Sequence, residues 1–150
     1  MTRAGEQVRG FSLLELVVVL AVLAGTATLV LPRIEGTRER LAVQVDANRV
    51  AAALRIARAD VLRTSSDRMV TFDVANRVYW SDVDPVERSF DLRITVALDD
   101  EGFEWVGTLR RVRFRPDGSA TGGAIVLSDG ASSARVVVDW LTGATRLSRY

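Results

Sequence analysis

From Phe11 to Leu31 the chain is apolar at almost every position, with Glu15 as the one charge. As a helix rising about 1.5 Å per residue, this stretch reaches about 31 Å, the width of a bilayer core. Gly25, Thr26 and Thr28 lower its helix propensity and Pro32 removes a backbone donor, so a kink or softened stretch is expected between Gly25 and Pro32. The pattern then changes. Over residues 37–64, Val43, Ala47, Val50, Leu54, Ala57 and Val61 recur at spacings of three and four, and the charged residues avoid that seam. This is one apolar face of a helix, expected to pack on a sheet. The polar run Thr64-Ser65-Ser66-Asp67 is expected to end it.

Beyond Arg68 the period falls to two. Met69–Val74 and Arg77–Trp80 flank Ala75-Asn76 and predict a hairpin. Residues 82–91 read as a charged loop around Pro85. Further strands are predicted at Leu92–Val96, Leu109–Arg115, Gly123–Leu127, Ala134–Trp140 and Ala144–Leu147. In Leu109–Arg115, Val112 and Phe114 take one face and Arg111, Arg113 and Arg115 the other. Pro116-Asp117-Gly118-Ser119, Asp129-Gly130 and Thr142-Gly143 supply turn chemistry. The expected fold is α+β: a long N-terminal helix, its first half membrane-spanning, packed by its second half on antiparallel sheet. Four segments follow: a leader at residues 1–10, the apolar helix at 11–31, its amphipathic continuation at 32–64, and a β-rich domain at 65–150.

Composition narrows the chemistry. The chain has no cysteine and no histidine, and all 20 of its basic residues are arginine. A disulfide framework, a thiolate metal site and lysine Schiff-base chemistry are excluded. The commonest general base and the commonest metal ligand are missing too, and nothing remains to activate a serine in the usual ways. The chain reads as no enzyme, and no cofactor is implied. Loss of residues 1–10 takes Arg3, Arg9 and Glu6 with it and leaves zero formal net charge. That balance does not call for bulk attraction to nucleic acid.

The apolar segment is no ordinary secretory signal. Its core is longer than the usual 7–15 residues, and the plausible break lies before it. A carboxylate inside such a segment costs about 2.5–3.5 kcal/mol on insertion scales and therefore asks for a function. Gly10-Phe11-Ser12-Leu13-Leu14-Glu15 resembles the class III signal of type IV prepilins and type II secretion pseudopilins. The resemblance implies cleavage between Gly10 and Phe11 by prepilin peptidase, followed by N-methylation of Phe11. It also implies that Glu15 pairs with the Phe11 amine of a neighbouring subunit during assembly. An ammonium and a carboxylate are each costly in hydrocarbon, and pairing offsets much of that cost, so one stagger between adjacent helices is selected.

The C-terminal part sharpens the resemblance. Phe114-Arg115-Pro116-Asp117-Gly118-Ser119-Ala120-Thr121-Gly122-Gly123, followed by Val136–Gly143, is similar to the GspH/FimT domain of minor pseudopilins and certain minor type IV pilins. A pilin-like fold is then implied, with a single pass through the bacterial inner membrane and a periplasmic C-terminal domain. The implied function is that of a minor pseudopilin in a short filament that drives folded proteins across the outer membrane. The implied partners are prepilin peptidase, other major and minor pseudopilins, the inner membrane, and secreted cargo or the outer-membrane secretin. The alternative is a minor type IV pilin that primes pili or takes up DNA.

Two clusters invite other chemistry. Asp99, Asp100, Glu101 and Glu104 gather oxygens of the kind calcium takes, but without the spacing of a calcium loop, and a solvated turn is expected. Arg111, Arg113 and Arg115, with Arg146 and Arg149, offer a basic surface for nucleic acid. DNA-binding relatives carry a glycine-arginine-x-arginine pattern in the last strand. Gly143-Ala144-Thr145-Arg146 keeps only its second arginine, so a solvated face is expected here and DNA is not the expected partner.

Overall fold

The computed structural model describes residues 13–99 and 101–150, with side chains described for 13–25 and from 42 onward. The chain divides into two compact units between Thr37 and Arg38.

Helix α1 runs Leu13–Thr64 and stays helical through Gly25 and Pro32, with the one bond that the proline cannot donate missing from its ladder. In the first unit, Leu13, Leu14, Leu16, Val17, Val18, Val19, Leu20, Val22 and Leu23 are all exposed. Among the described residues no helix is long and apolar enough to cross a membrane. Within the expected 11–31 segment, side chains are described only for Leu13–Gly25, a length below the 17–25 residues a span requires.

The second unit carries the core. Val43, Ala47, Val50, Ala51, Leu54, Ala57 and Val61 are buried along one stripe of α1. The alanines at 47, 51 and 57 supply the small side chains of that face. The helix stops at Thr64, whose hydroxyl turns back to the Asp60 carbonyl at 2.7 Å. Ser65 then enters the left-handed region at φ 51°, the conformation that commonly ends helices. Asp60 accepts from both Arg63 and, at 2.6 Å, Arg68 Nε. The helix end is thereby tied to the first residue of β1 (Arg68–Asp73).

The other strands are β2 (Val78–Ser81), β3 (Arg88–Ser89), β4 (Thr95–Leu98), β5 (Glu104–Val106), β6 (Leu109–Phe114), β7 (Gly123–Ser128), β8 (Ser133–Val138) and β9 (Thr145–Arg149). They form two antiparallel sheets, β3-β2-β1-β6-β5 and β4-β7-β8-β9. The helix stripe shares one apolar core with Val70, Phe72, Tyr79, Val112 and Phe114 of the first sheet and Ile125, Leu127, Val136 and Val138 of the second. Phe103 joins it by lying against Gly123, where an added Cβ would meet the ring at 2.4 Å.

Several expectations change in detail. The hairpin turn is four residues long, with Asp73 opposite Val78, because Asp73 captures the amide of Asn76 at 3.0 Å and Arg77 takes a left-handed φ of 59°. The loop around Pro85 contains the short strand β3. The strand expected at Leu92–Val96 forms as Thr95–Leu98, since Ile94 N closes a turn on Asp91 O. Strand β5 went unforeseen: three residues carry little periodicity, and its pairing of Glu104 with Arg111 holds it.

Candidate functional site

The stem is the first candidate. Leu13–Leu23 is apolar on every side, and such a helix is stable only when lipid or other helices surround it. Glu15 lies in its first turn, where a carboxylate also complements the helix dipole. Gly10 and Phe11, the expected processing residues, lie outside the described residues.

The expected basic residues fall on two different sheets. Arg111 and Arg113 lie on β6, Arg115 just beyond it, and Arg146 and Arg149 on β9. Arg113 is engaged: it grips Glu104 with Nε and Nη2 at 3.1 and 2.9 Å, and Asp67 at 3.3 Å. These bonds hold Glu104 below the usual carboxylate range and raise Arg113. Arg111 buries its Nε without a hydrogen-bond partner, and Arg110 lies over the Trp105 ring. Of the expected acidic cluster, Asp100 lies outside the described residues, Asp99 pairs with Arg135 at 3.3 Å, and Glu104 is held by Arg113. Among the described residues no group of three or more such ligands is placed to hold a metal ion.

A second candidate lies between α1 and β2. A half-enclosed cavity of about 120 Å³ is lined by Ala52, Ala53, Ile56, Trp80 and Tyr79, with Arg49, Asp84 and Arg88 among its polar lining. The Tyr79 hydroxyl is buried without a hydrogen-bond partner, and burial raises its pKa. Nearby, Asp46 is buried and accepts from Arg49 at 3.2 Å and from the Asp91 amide at 2.9 Å. Arg77 donates at 2.6 Å to the carbonyls of both Asp91 and Ile94. Asp46 and Arg77 clasp the loop before β4 from two sides. Arg93 bonds Asp91 through side chain and backbone, which holds that carboxyl far below its ordinary value.

The third candidate is the β8–β9 turn. Asp139 accepts from the amides of Leu141 and Thr142 at 3.1 and 2.9 Å and from the Thr142 hydroxyl at 2.9 Å. Those bonds lower its pKa. Gly143 follows at φ 63°, where an added Cβ would meet the Gly118 carbonyl at 2.8 Å. Arg58 of α1 donates to the Thr142 carbonyl at 3.0 Å. The turn is thus held by its own carboxylate, by the helix and by Ala120, whose amide donates to the Trp140 carbonyl at 2.9 Å. Trp140 and Leu141 project from it, 67% and 63% exposed. The strand expected at Ala134–Trp140 ends at Val138, because Asp139 turns its carboxylate onto the following amides, and Trp140 lies in the turn instead.

The GspH family model, type II transport protein GspH, matches residues 46–143. The type II secretion system protein H of Xanthomonas campestris pv. campestris is 28% identical over 144 residues, covering 94% of this chain and 83% of that protein. Among solved structures, the fold is similar to the minor pseudopilin EpsH from the type 2 secretion system of Vibrio cholerae. That likeness has a TM-score of 0.58 at 13% identity, over 71% of this chain and 95% of the other. It is also similar to the type IV minor pilin FimU of Pseudomonas aeruginosa, with a TM-score of 0.57 at 12% identity over 73% and 90%. At such identities these two likenesses speak for the fold alone.

Proposed function

The chain belongs to the GspH family of type II transport proteins, and from that premise we propose that it works as a minor pseudopilin of a type II secretion system. The observation that carries this reading is a helix apolar on all sides, with Glu15 in its first turn, leading into a GspH domain. The fold is as near to a pilin as to a pseudopilin, so the two sequence matches weigh toward secretion.

In this reading the precursor sits in the inner membrane with residues 1–10 cytoplasmic and the domain periplasmic. Prepilin peptidase cuts after Gly10, and the new Phe11 amine is methylated. Glu15 and the Phe11 amine of a neighbour then pair in hydrocarbon, where an unpaired charge of either sign is costly. The pairing selects one stagger. Leu13–Leu23 exchanges lipid for the packed helices of a filament core, while the sheets face outward toward other pseudopilins, cargo or the secretin. The chain is a substrate of the peptidase, and we assign it no catalysis of its own.

Intact mass and N-terminal sequencing of the protein recovered from host membranes test the reading. A chain beginning at methylated Phe11 is expected. A chain that keeps residues 1–10 removes the filament mechanism.

A further inference from the structure

The cavity between α1 and β2 combines an apolar wall with donors that lack acceptors. Ala52, Ala53 and Ile56 of α1 supply the wall, and Arg49, Tyr79 and Arg88 bring the donors. Tyr79 is 2% exposed, and its hydroxyl has no hydrogen-bond partner among the described residues. Burial keeps that hydroxyl protonated, and therefore a donor, at neutral pH. Arg88 and Arg49 both act on it through space, so the three donors lie together. A buried hydroxyl left unpaired is costly, which favours any ligand that brings it an acceptor.

The carboxylates nearby are already engaged. Asp84 gives one oxygen to Arg88 and the other to the Val86 amide. Asp46, which also acts on the Tyr79 hydroxyl, gives one oxygen to Arg49 and the other to the Asp91 amide. Arg49 and Arg88 each use a single Nη in those pairs, and a guanidinium carries further N–H groups. What the cavity lacks is an acceptor. With two guanidinium groups against Asp84 in the lining, the complementary acceptor is an anion, and a planar carboxylate matches the guanidinium fork. Size sets the rest of the ligand. The cavity holds about 120 Å³ and is half-enclosed. A closed apolar cavity of about 150 Å³ takes benzene, so there is room here for one ring or a branched alkyl group.

We propose that this cavity binds a small aryl or branched-alkyl carboxylic acid, its hydrocarbon group against Ala52, Ala53 and Ile56 and its carboxylate accepting from the Tyr79 hydroxyl, Arg49 and Arg88. Bound acid joins α1 to β2 and stabilises the domain by mass action. The inference does not depend on the pseudopilin reading, since every residue it uses lies in the second unit.

The test is titration of the full chain, held in lipid nanodiscs, with 3-phenylpropionate, followed by calorimetry and by the methyl resonance of Ile56. The expected result is saturable one-site binding, a shifted Ile56 methyl and a raised thermal midpoint. The neutral amide of the same acid, and acetate, which lacks the ring, should each bind at least about tenfold more weakly. Tyr79→Phe should weaken binding by about tenfold. Ala53→Leu, which fills the cavity, should abolish it. Arg88→Gln alters a half-exposed side chain, keeps the test open if Ala53→Leu fails to fold, and should weaken binding by about tenfold. No saturation by about 10 mM acid overturns the inference. So does equal binding of the amide, or binding that leaves Ile56 unshifted or survives Ala53→Leu. An acetylated dipeptide ending in phenylalanine that binds where 3-phenylpropionate does not assigns the carboxylate to a peptide end and overturns the free acid. Each of these outcomes leaves the pseudopilin reading standing, because that reading is tested at the N-terminus of the mature chain.

Discussion

Helix α1 holds two apolar regions that obey different rules. Leu13–Leu23 is apolar all round and exposed, whereas Val43–Val61 buries one stripe and leaves Arg49, Arg55 and Ile56 outside it. The second region is satisfied by the two sheets of its own chain. The first has no cover within its own unit among the described residues, the pattern of helices that pack in lipid or among other helices. One helix thus joins a domain with its own core to an apolar segment without one, and substitutions in the two regions should fail in different assays.

The largest effect is expected just before the helix. Gly10→Val should leave the precursor uncut on immunoblots, and a mature-sized product would contradict the proposed site. Next, Glu15→Ala should permit cleavage yet abolish incorporation into the filament, with the domain's thermal midpoint unchanged. Normal incorporation would remove the register role and reduce the stem to a greasy anchor.

The comparison is sharpest for two leucines of the same helix. Leu54 is fully buried, so Leu54→Ala should destabilise the domain by about 2–5 kcal/mol in urea unfolding. Leu20 is exposed, and Leu20→Ala should cost the domain less than about 0.5 kcal/mol. Equal losses would mean that stem and stripe do not divide the labour in this way.

A smaller effect is expected at Asp46, whose carboxylate holds the Asp91 amide across 45 positions of sequence. Asp46→Ala should cost about 1–3 kcal/mol by leaving that amide and Arg49 without their acceptor. Hydrogen exchange should rise first in the loop before β4.

The mildest effect is that of pH. Asp91, Asp60, Glu104 and Asp139 all have depressed pKa values, through Arg93, through Arg68 and Arg63, through Arg113, and through the Thr142 amide and hydroxyl respectively. A group more acidic in the folded state stabilises the fold above its unfolded pKa. That stability is lost as pH falls through the folded value. Thermal midpoints should therefore be flat from pH 7 to about 5 and fall below about pH 4, where unfolded carboxylates begin to protonate. A midpoint that rises on acidification would contradict these ion pairs.

Much of this was legible in one dimension because the signals are local. The leader motif, the all-round apolar segment and the three-and-four spacing of Val43 to Val61 are properties of consecutive residues. Period two marked β1, β6, β7 and β8 because each has one face in the core. The arginines of β6 were placed correctly on the outer face, but their partners were not, since Glu104 and Asp67 arrive from separate segments.

By itself, then, the sequence determined which faces must be covered and where the helix ends. Only the tertiary structure decided that the strands divide into two sheets with β1 beside β6, that Asp46 and Arg77 clasp the same loop, and that Trp140 and Leu141 stand on a pinned turn. The reason is physical. Periodicity records whether a side chain must leave water, whereas the group that meets it is chosen by pairings across long stretches of chain. Those pairings depend on loop closure and on the shared core, which no local pattern encodes.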